Sequence, residues 1–326
     1  MTSAYGRWLT PTSAWRLAQC AASAGYSSGP LPPRRQRLTT AGEAAHAAMK
    51  RWIESGDWFA PTPRLQEHYD IVCDANGLQV EALANGRLTR ARLGAREVDL
   101  ASLLTRVGDR PEADCEKPLV DPEKELWGVP DIVVRGGQTA VVDLKTGGDV
   151  TRPLPDQLSR QLLIYAHLVR THDGEPPSLV AIFSLAHGVI ELEASARAIE
   201  ELLDRIAAAR SLPGMATPRA DACRFCAQRR RCEPHWNAAA NGELPDAVEG
   251  AVVRTEVAES GSMAVQLETP TGRVWLTRLR PTMLAGQVAP GCWLRAVRLM
   301  APSTEPPTWR AAPETMAWPA PLANQH

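Results

Sequence analysis

Two aspartates twelve positions apart, Asp131 and Asp143, and a lysine two positions beyond the second, Lys145, stand in the stretch GVPDIVVRGGQTAVVDLKTGG. Hard divalent cations such as Mg²⁺ or Mn²⁺ take oxygen donors, usually one or two carboxylates with water and substrate phosphate. A lysine beside such a pair can orient or help deprotonate a water while the cation stabilises charge on phosphorus-bound oxygens. A second group, CRFCAQRRRC, sets Cys223, Cys226 and Cys232 in a C-x2-C-x5-C run. A closed tetrahedral zinc site or a cubane cluster takes four ligands. The fourth must come from elsewhere, and Cys20, Cys73, Cys115, Cys292 and His235 are the candidates.

The elements that must position these residues follow from periodicity. Alternating Val, Ile and Thr around Gly136 and Gly137 predict an antiparallel hairpin, with Asp143 and Lys145 on one face. Its loop decides the chemistry. A two-residue turn pairs Asp131 with Val142 and points it away from Asp143, whereas an odd loop centred on Gly137 sets the two aspartates opposite one another. LTTAGEAAHAAMKRWIES predicts a helix, with Thr40 and Glu43 as a capping box and Ala45, Ala48, Met49, Trp52 and Ile53 as its apolar stripe. His46 flanks that stripe. Two or three strands are expected between Glu67 and Leu126, with turns at Asn76-Gly77 and Asn85-Gly86. PLPDQLSRQLLIYAHLVRTH predicts an amphipathic helix that puts Gln161 and Tyr165 on one face. A hairpin in SLVAIFSLAHGVIELEAS and a helix from Ser195 to Arg210 complete a mixed α/β domain, a central sheet flanked by helices. From about Asp246 to Pro302, short alternating runs predict a small β-barrel, OB-like in type. Residues 303–326, rich in Pro, Thr, Ala and Glu, read as a loose tail.

The 326 residues carry 36 Lys and Arg against 37 Asp and Glu. This balance argues against wholesale electrostatic wrapping of nucleic acid but leaves local basic patches at Arg34, Arg35, Arg37 and at Arg229, Arg230, Arg231. No apolar run reaches membrane-spanning length, and the N-terminus lacks the order of a signal peptide, so a soluble cytoplasmic protein is expected. Cysteines in that setting are thiols, ligands or core residues rather than disulfides. Cys73, Cys115 and Cys292 sit in strand-like apolar contexts and read as small core residues.

GVPDIVV, DLKTG and QLLIY resemble the D, (D/E)-x-K and Q-x-x-x-Y motifs of the PD-(D/E)XK nuclease superfamily, in its RecB-like branch. GEAAH matches that branch's G-x-x-x-H with Gly42 and His46. The resemblance implies a restriction-endonuclease-like core over residues 1–240. It makes His46, Asp131, Asp143 and the Leu144 carbonyl ligands of Mg²⁺ or Mn²⁺ and Lys145 the catalytic lysine, and it sets Gln161 and Tyr165 beside the site. The second acid is Asp143 where many relatives carry glutamate. TPTSAWRLAQCAAS resembles the N-terminal cysteine segment of the iron–sulfur members, with Ser13, Leu17 and Cys20 in register and Ala21 in place of a proline. That implies a 4Fe–4S cluster on Cys20, Cys223, Cys226 and Cys232, with structural Zn²⁺ as the alternative. Glu116 stands before the hairpin and reads as a surface residue rather than a ligand.

The expected function is a metal-dependent DNA exonuclease acting on single-stranded or end-frayed DNA, in recombination and repair, CRISPR adaptation, or phage and mobile-element DNA processing. A helicase or a recombination or adaptation protein would be its partner. The alternative is a non-catalytic DNA-binding or scaffolding subunit that keeps the fold and the cluster.

Overall fold

The computed structural model describes residues 8–23, 38–60, 62, 64–108, 111–147, 150–224, 226–302 and 307–320. Arg34, Arg35 and Arg37 lie outside them. By its internal contacts the chain divides into two units, one of residues 1–15 and 25–208 and one of residues 16–24 and 209–326. The boundary falls at 208 rather than near the 240 expected, and the segment around Cys20 belongs to the second unit. Among the described residues no helix is long and apolar enough to cross a membrane.

Helix α1 (Pro11–Gln19) leads into α2 (Ala41–Glu54). The capping box forms as expected: Glu43 N donates to Thr40 Oγ1 at 3.2 Å and Thr40 N to Glu43 Oε2 at 3.0 Å. Ala45, Ala48, Met49, Trp52 and Ile53 are all buried. Two helices, α3 (Leu65–Ala75) and α4 (Gly86–Thr105), occupy most of the region expected to hold two or three strands, and the strands there begin only at Glu112. The Asn-Gly pairs that suggested hairpins are helix ends instead, Asn76 capping the end of α3 and Asn85 the start of α4. Burial of Tyr69, Val72 and Cys73 follows the helical repeat, so Cys73 is a core residue of a helix and not of a strand. In α4 the repeat Leu93, Glu97, Leu100, Leu104 puts a carboxylate on the inward face, which hides the stripe. Glu97 is 5% exposed and accepts from Arg64 N at 2.7 Å and Leu65 N at 2.9 Å, capping α3. Free N–H groups at a helix start favour an anion there.

Next come β1 (Glu112–Cys115), β2 (Leu119–Asp121), β3 (Leu126–Gly128), β4 (Ile132–Arg135), β5 (Thr139–Lys145), α5 (Asp156–Asp173), β6 (Leu179–Ser184), β7 (Gly188–Glu191) and α6 (Ala196–Arg210). The main sheet has the order β1-β4-β5-β6-β7, antiparallel except for the parallel β5–β6 pair, while β2 and β3 form a separate hairpin. One core joins α2, α3 and α4 to Ile132, Val134, Ala140, Val142 and Leu144. The alternate positions, Val133, Val141 and Asp143, point to the other face. The β4–β5 loop is Gly136-Gly137-Gln138, because Arg135 pairs with Thr139. A Cβ on Gly136 would stand 2.8 Å from the Val107 carbonyl oxygen, which also accepts from Gln138 N at 2.9 Å. Only glycine fits so close an approach of two backbones.

In the second unit, α7 (Ala220–Arg224) and α8 (Glu233–Ala240) precede β8 (Ala247–Val257), β9 (Met263–Thr269), β10 (Gly272–Leu279), β11 (Trp293–Met300) and β12 (Thr308–Ala320). The strands close in the order β10-β12-β11-β8-β9, with β10 and β12 parallel and the remaining pairs antiparallel. This is the connectivity of an OB-type barrel. Strand β12 takes up thirteen residues of the expected tail. Its Pro313 lies where the β11–β12 register breaks, a place that needs no ladder N–H.

Replacing Glu97 by Ala leaves the buried Leu65 N–H and the Arg64 N–H without their acceptor. A loss of about 1–3 kcal/mol is expected, seen as a melting temperature lower by several degrees, with Glu97→Gln losing less because one acceptor oxygen remains.

Candidate active site

Ile132 pairs with Val142 in the β4–β5 ladder, so Asp131, one residue before β4, stands opposite Asp143. The odd loop therefore meets the geometric condition for two facing carboxylates. Asp143 is 3% exposed. Its Oδ2 is ion-paired with Lys145 Nζ on the same strand face, and its Oδ1 accepts from Gln161 Nε2 at 3.3 Å. Asp131 is locked by the strand backbone, its Oδ2 accepting from Leu144 N at 2.6 Å. The N–H and C=O of one strand residue leave on the same side. The Leu144 carbonyl therefore faces the β4 side, where Asp131 stands. Helix α2 contributes His46, whose Nδ1 lies 3.5 Å from Asp131 Oδ1.

Helix α5 closes the site. Gln161 Nε2 also donates to Tyr165 Oη at 3.4 Å, and Tyr165 Oη donates to the Val129 carbonyl at 3.1 Å, two residues before Asp131. A Cβ on Gly128 would stand 2.9 Å from the Tyr165 ring, and one on Gly42 2.7 Å from Thr146 Oγ1. The glycine of the G-x-x-x-H segment thus lets the first turn of α2 approach the residue after Lys145, one turn before His46. Glu116 turns away to an exposed pair with Lys50, at 2.7 Å, in keeping with its reading as a surface residue.

Charge is unevenly shared among these groups. The Asp143 carboxyl is raised to about 6, chiefly by burial; the Lys145 ammonium opposes the rise and the Asp131 carboxylate reinforces it. Burial pulls His46 down, but its hydrogen bond and charge contact with Asp131 outweigh that and leave the imidazole raised. Tyr165 is pushed well above the usual phenol range by burial and by Asp143. Two facing carboxylates, an imidazole and a carbonyl make a hard, oxygen-rich donor set that suits Mg²⁺ or Mn²⁺. Among the described residues no three His, Cys, Asp or Glu side chains are arranged as a ready-made cation cage. Lys145 and the Leu144 amide hold one oxygen of each aspartate, so coordination would have to displace the lysine from Asp143.

The second unit gathers the cysteines. Cys20, Cys223, Cys226, Cys232 and His235 line one small cavity of about 20 Å³. Thr217 N donates to Cys20 Sγ at 3.3 Å. Burial pushes the Cys223 thiol up to about 11, with Cys226, Cys20 and Cys232 adding to it. Arg229 is 5% exposed and donates to the carbonyls of Cys223 and Arg224, so it is an interior cation rather than part of a solvated basic loop. His235 is 2% exposed, and neither ring nitrogen has a hydrogen-bond partner among the described residues. The four thiols share this cavity with a buried guanidinium, a donor chemistry that suits a soft metal, but among the described residues they are not arranged as a ready-made cage either. Of the remaining cysteines, Cys115 is buried in the main core and Cys292 packs against the barrel core.

A family model for the PD-(D/E)XK nuclease superfamily matches residues 9–233. The chain belongs to that superfamily. No curated protein matches it significantly. Solved structures with similarity include one titled SSO0001, 14% identical over 63% of this chain and 89% of that one, with a TM-score of 0.26. The p204 HINb domain is 12% identical over 65% and 97%, TM-score 0.21. A murine DNA-binding protein bound with double-stranded DNA is 10% identical over 67% and 99%, TM-score 0.21. At these scores the likenesses carry no argument. Membership in the superfamily makes phosphodiester hydrolysis the expected reaction class and a divalent metal the usual cofactor.

The motif reading did not reach a second buried polar pair, His167 Nε2 and Asp121 Oδ2 at 2.7 Å, which pins β2 to α5 and so holds the helix that carries Gln161. The signal available was a histidine on the apolar face of that helix. Because Asp143 is raised above its unfolded value near 3.9, the folded chain binds an extra proton between about pH 4 and pH 6, and stability falls as pH rises through that window. Metal-free protein should therefore lose up to about 2–3 kcal/mol from this group by pH 8. Asp143→Asn should recover much of it, so urea melts of the two proteins should diverge at pH 8 and converge at pH 4.

Proposed function

We propose that the chain is a divalent-metal-dependent deoxyribonuclease that trims single-stranded or frayed DNA ends. The observation that carries this reading is the register of one hairpin, which faces Asp131 with Asp143 and sets Lys145 beside the second. His46, Asp131, Asp143 and the Leu144 carbonyl would hold Mg²⁺ or Mn²⁺. When bound, the cation supplies Lewis acidity at the phosphodiester. Lys145, part-exposed beside Asp143, holds and orients the attacking water and takes part in moving its proton. His46 buttresses Asp131 through its Nδ1. Gln161 and Tyr165 fix Asp143 from the α5 side and present a polar edge along which a strand is positioned.

Cys20, Cys223, Cys226 and Cys232 would carry a 4Fe–4S cluster in the role of a staple, with Zn²⁺ as the other metal that suits thiolates at this spacing. Such a site closes a loop of about two hundred residues, where a cross-link removes most chain entropy from the unfolded state. The hydrolysis belongs to the aspartates. The setting would be recombination, repair, adaptation or mobile-element DNA processing.

End-labelled single-stranded DNA with Mn²⁺ or Mg²⁺ tests the reading. Asp143→Ala and Lys145→Ala should each lower cleavage by at least about 10²-fold, and Lys145→Ala should leave binding near wild type. Equal loss of binding and cleavage would make Lys145 a phosphate anchor. Wild-type protein that binds DNA but never cuts it would favour the scaffold alternative. Protein purified without air should be brown, with iron and sulfide in equal amounts, and Cys20→Ser should lower its melting temperature while the surviving folded fraction keeps its cleavage rate. Colourless protein with one tightly bound zinc would replace the cluster and keep the staple.

A further inference from the structure

The barrel carries a groove of about 900 Å³ that neither metal centre uses. Ser260 and Ser262 of the β8–β9 loop line it, with Arg278 and Arg280 at the end of β10, Met283, whose sulfur accepts from Arg280 N at 3.5 Å, and Met300. Both arginines are exposed, and neither has a carboxylate partner among the described residues. Glu259 lies in the same loop, next to Ser260 but not among the lining residues, and Glu314, beyond Pro313 of the groove wall, is engaged by Arg224 at 3.1 Å. Met300 is 52% exposed and stands opposite Arg310 in the β11–β12 register, a further exposed arginine on the outer barrel surface.

The backbone at this place is strained. Arg278 has φ 61° at the bulge where the β9–β10 register shifts between Leu276 and Leu279. A non-glycine residue adopts the left-handed region only where the surrounding structure holds it there. Bulges of this kind re-aim a side chain out of the strand's alternation, and here the re-aimed group is a cation at the lip of the groove. Just upstream, Val274 and Leu276 belong to the barrel core, so Trp275 between them faces outward and is half-buried. The chemistry of the groove is therefore cationic at the end of β10, with the thioethers of Met283 and Met300 also lining it.

We infer that this groove binds a single nucleic-acid strand, Arg278 and Arg280 taking successive phosphates while Met283 and Met300 offer apolar surface to the bases. A duplex presents phosphates but keeps its base faces stacked inside. A groove that interleaves cations with apolar side chains matches the strand whose bases are free. That the strand is the substrate rests on the nuclease reading above. The binding itself does not.

The test uses the full chain in EDTA, so that nothing is cut, and reads fluorescence anisotropy of a labelled oligo-dT of about 16 nucleotides beside a matched duplex. The single strand should bind at least about tenfold tighter than the duplex. The Arg278→Gln, Arg280→Gln double variant should bind the strand about tenfold more weakly, and its log-affinity against log-salt slope should shrink by about 1.4, close to 0.7 for each lost phosphate contact. Neither side chain has a carboxylate partner, so the melting temperature should hold. Should the double variant misfold, Arg280→Glu alone, in the loop after β10, gives the same reading by charge reversal. Unchanged affinity and slope, or no binding by the wild type, overturns the inference, and equal loss on strand and duplex overturns the single-strand assignment. The two readings fail separately. Cleavage with Mn²⁺ by a wild type whose arginine variants bind normally leaves the nuclease and removes the groove, whereas groove-dependent binding without cleavage does the reverse.

Discussion

Everything at the candidate active site depends on putting one carboxylate under the protein surface opposite another. Asp143 is nearly inaccessible and faces Asp131 across a ladder whose side-chain period is two, so a shift of one residue would send one of them to the helical core. The three-residue loop that prevents the shift is fixed by contact between Gly136 and Val107, at the end of α4. The position of a long helix thus sets the facing of two aspartates. Glu97, which joins α4 to the start of α3, and the His167–Asp121 pair, which joins α5 to β2, extend the same scheme: α3, α4 and α5 are held by buried polar contacts as well as by apolar packing.

The sequence made the site legible because its chemistry lies within short stretches. Asp131, Asp143, Lys145, Gln161 and Tyr165 fall in a hairpin and the next helix, and periodicity finds both. The helix that carries His46 follows from a capping box and an apolar stripe, but the histidine itself stands out only through the resemblance to a G-x-x-x-H segment. The α3–α4 region was misread for an equally physical reason. An Asn-Gly pair supplies a left-handed residue that serves a hairpin turn or a helix end alike, and Glu97 interrupts the stripe that would have decided between them. The end of the barrel was missed because Pro313 and Pro319 look like breaks in a strand. In three dimensions Pro313 falls where the ladder has already lost its register. The strained Arg278 gives no sequence signal at all, since a bulge is a property of two strands together.

The two centres share one electrostatic arrangement and differ in its timing. Each sets a cation beside groups whose burial opposes ionisation: Lys145 beside Asp143, Arg229 beside the thiols. Holding Asp143 protonated requires pH below about 6, whereas the Cys223 thiol, pushed up to about 11, keeps its proton in any neutral solution. A metal must displace whatever protons are present when it binds. Above pH 6 the aspartate site has already lost its proton and would exchange Mg²⁺ or Mn²⁺ with little change in protonation. Loading the proposed cysteine site must expel several thiol protons against a strong burial penalty, and the buried Arg229 charge offsets part of that penalty once the thiolates form. Removing the metal would leave neutral thiols beside a guanidinium held by two backbone carbonyls, and an imidazole, His235, whose two nitrogens have no hydrogen-bond partner among the described residues. A buried imidazole without a partner is costly to the fold. The proposed cysteine centre therefore gains from its metal twice, through the ligand bonds and through relief of the groups around it, which is the behaviour of a permanent staple rather than of an exchangeable cofactor.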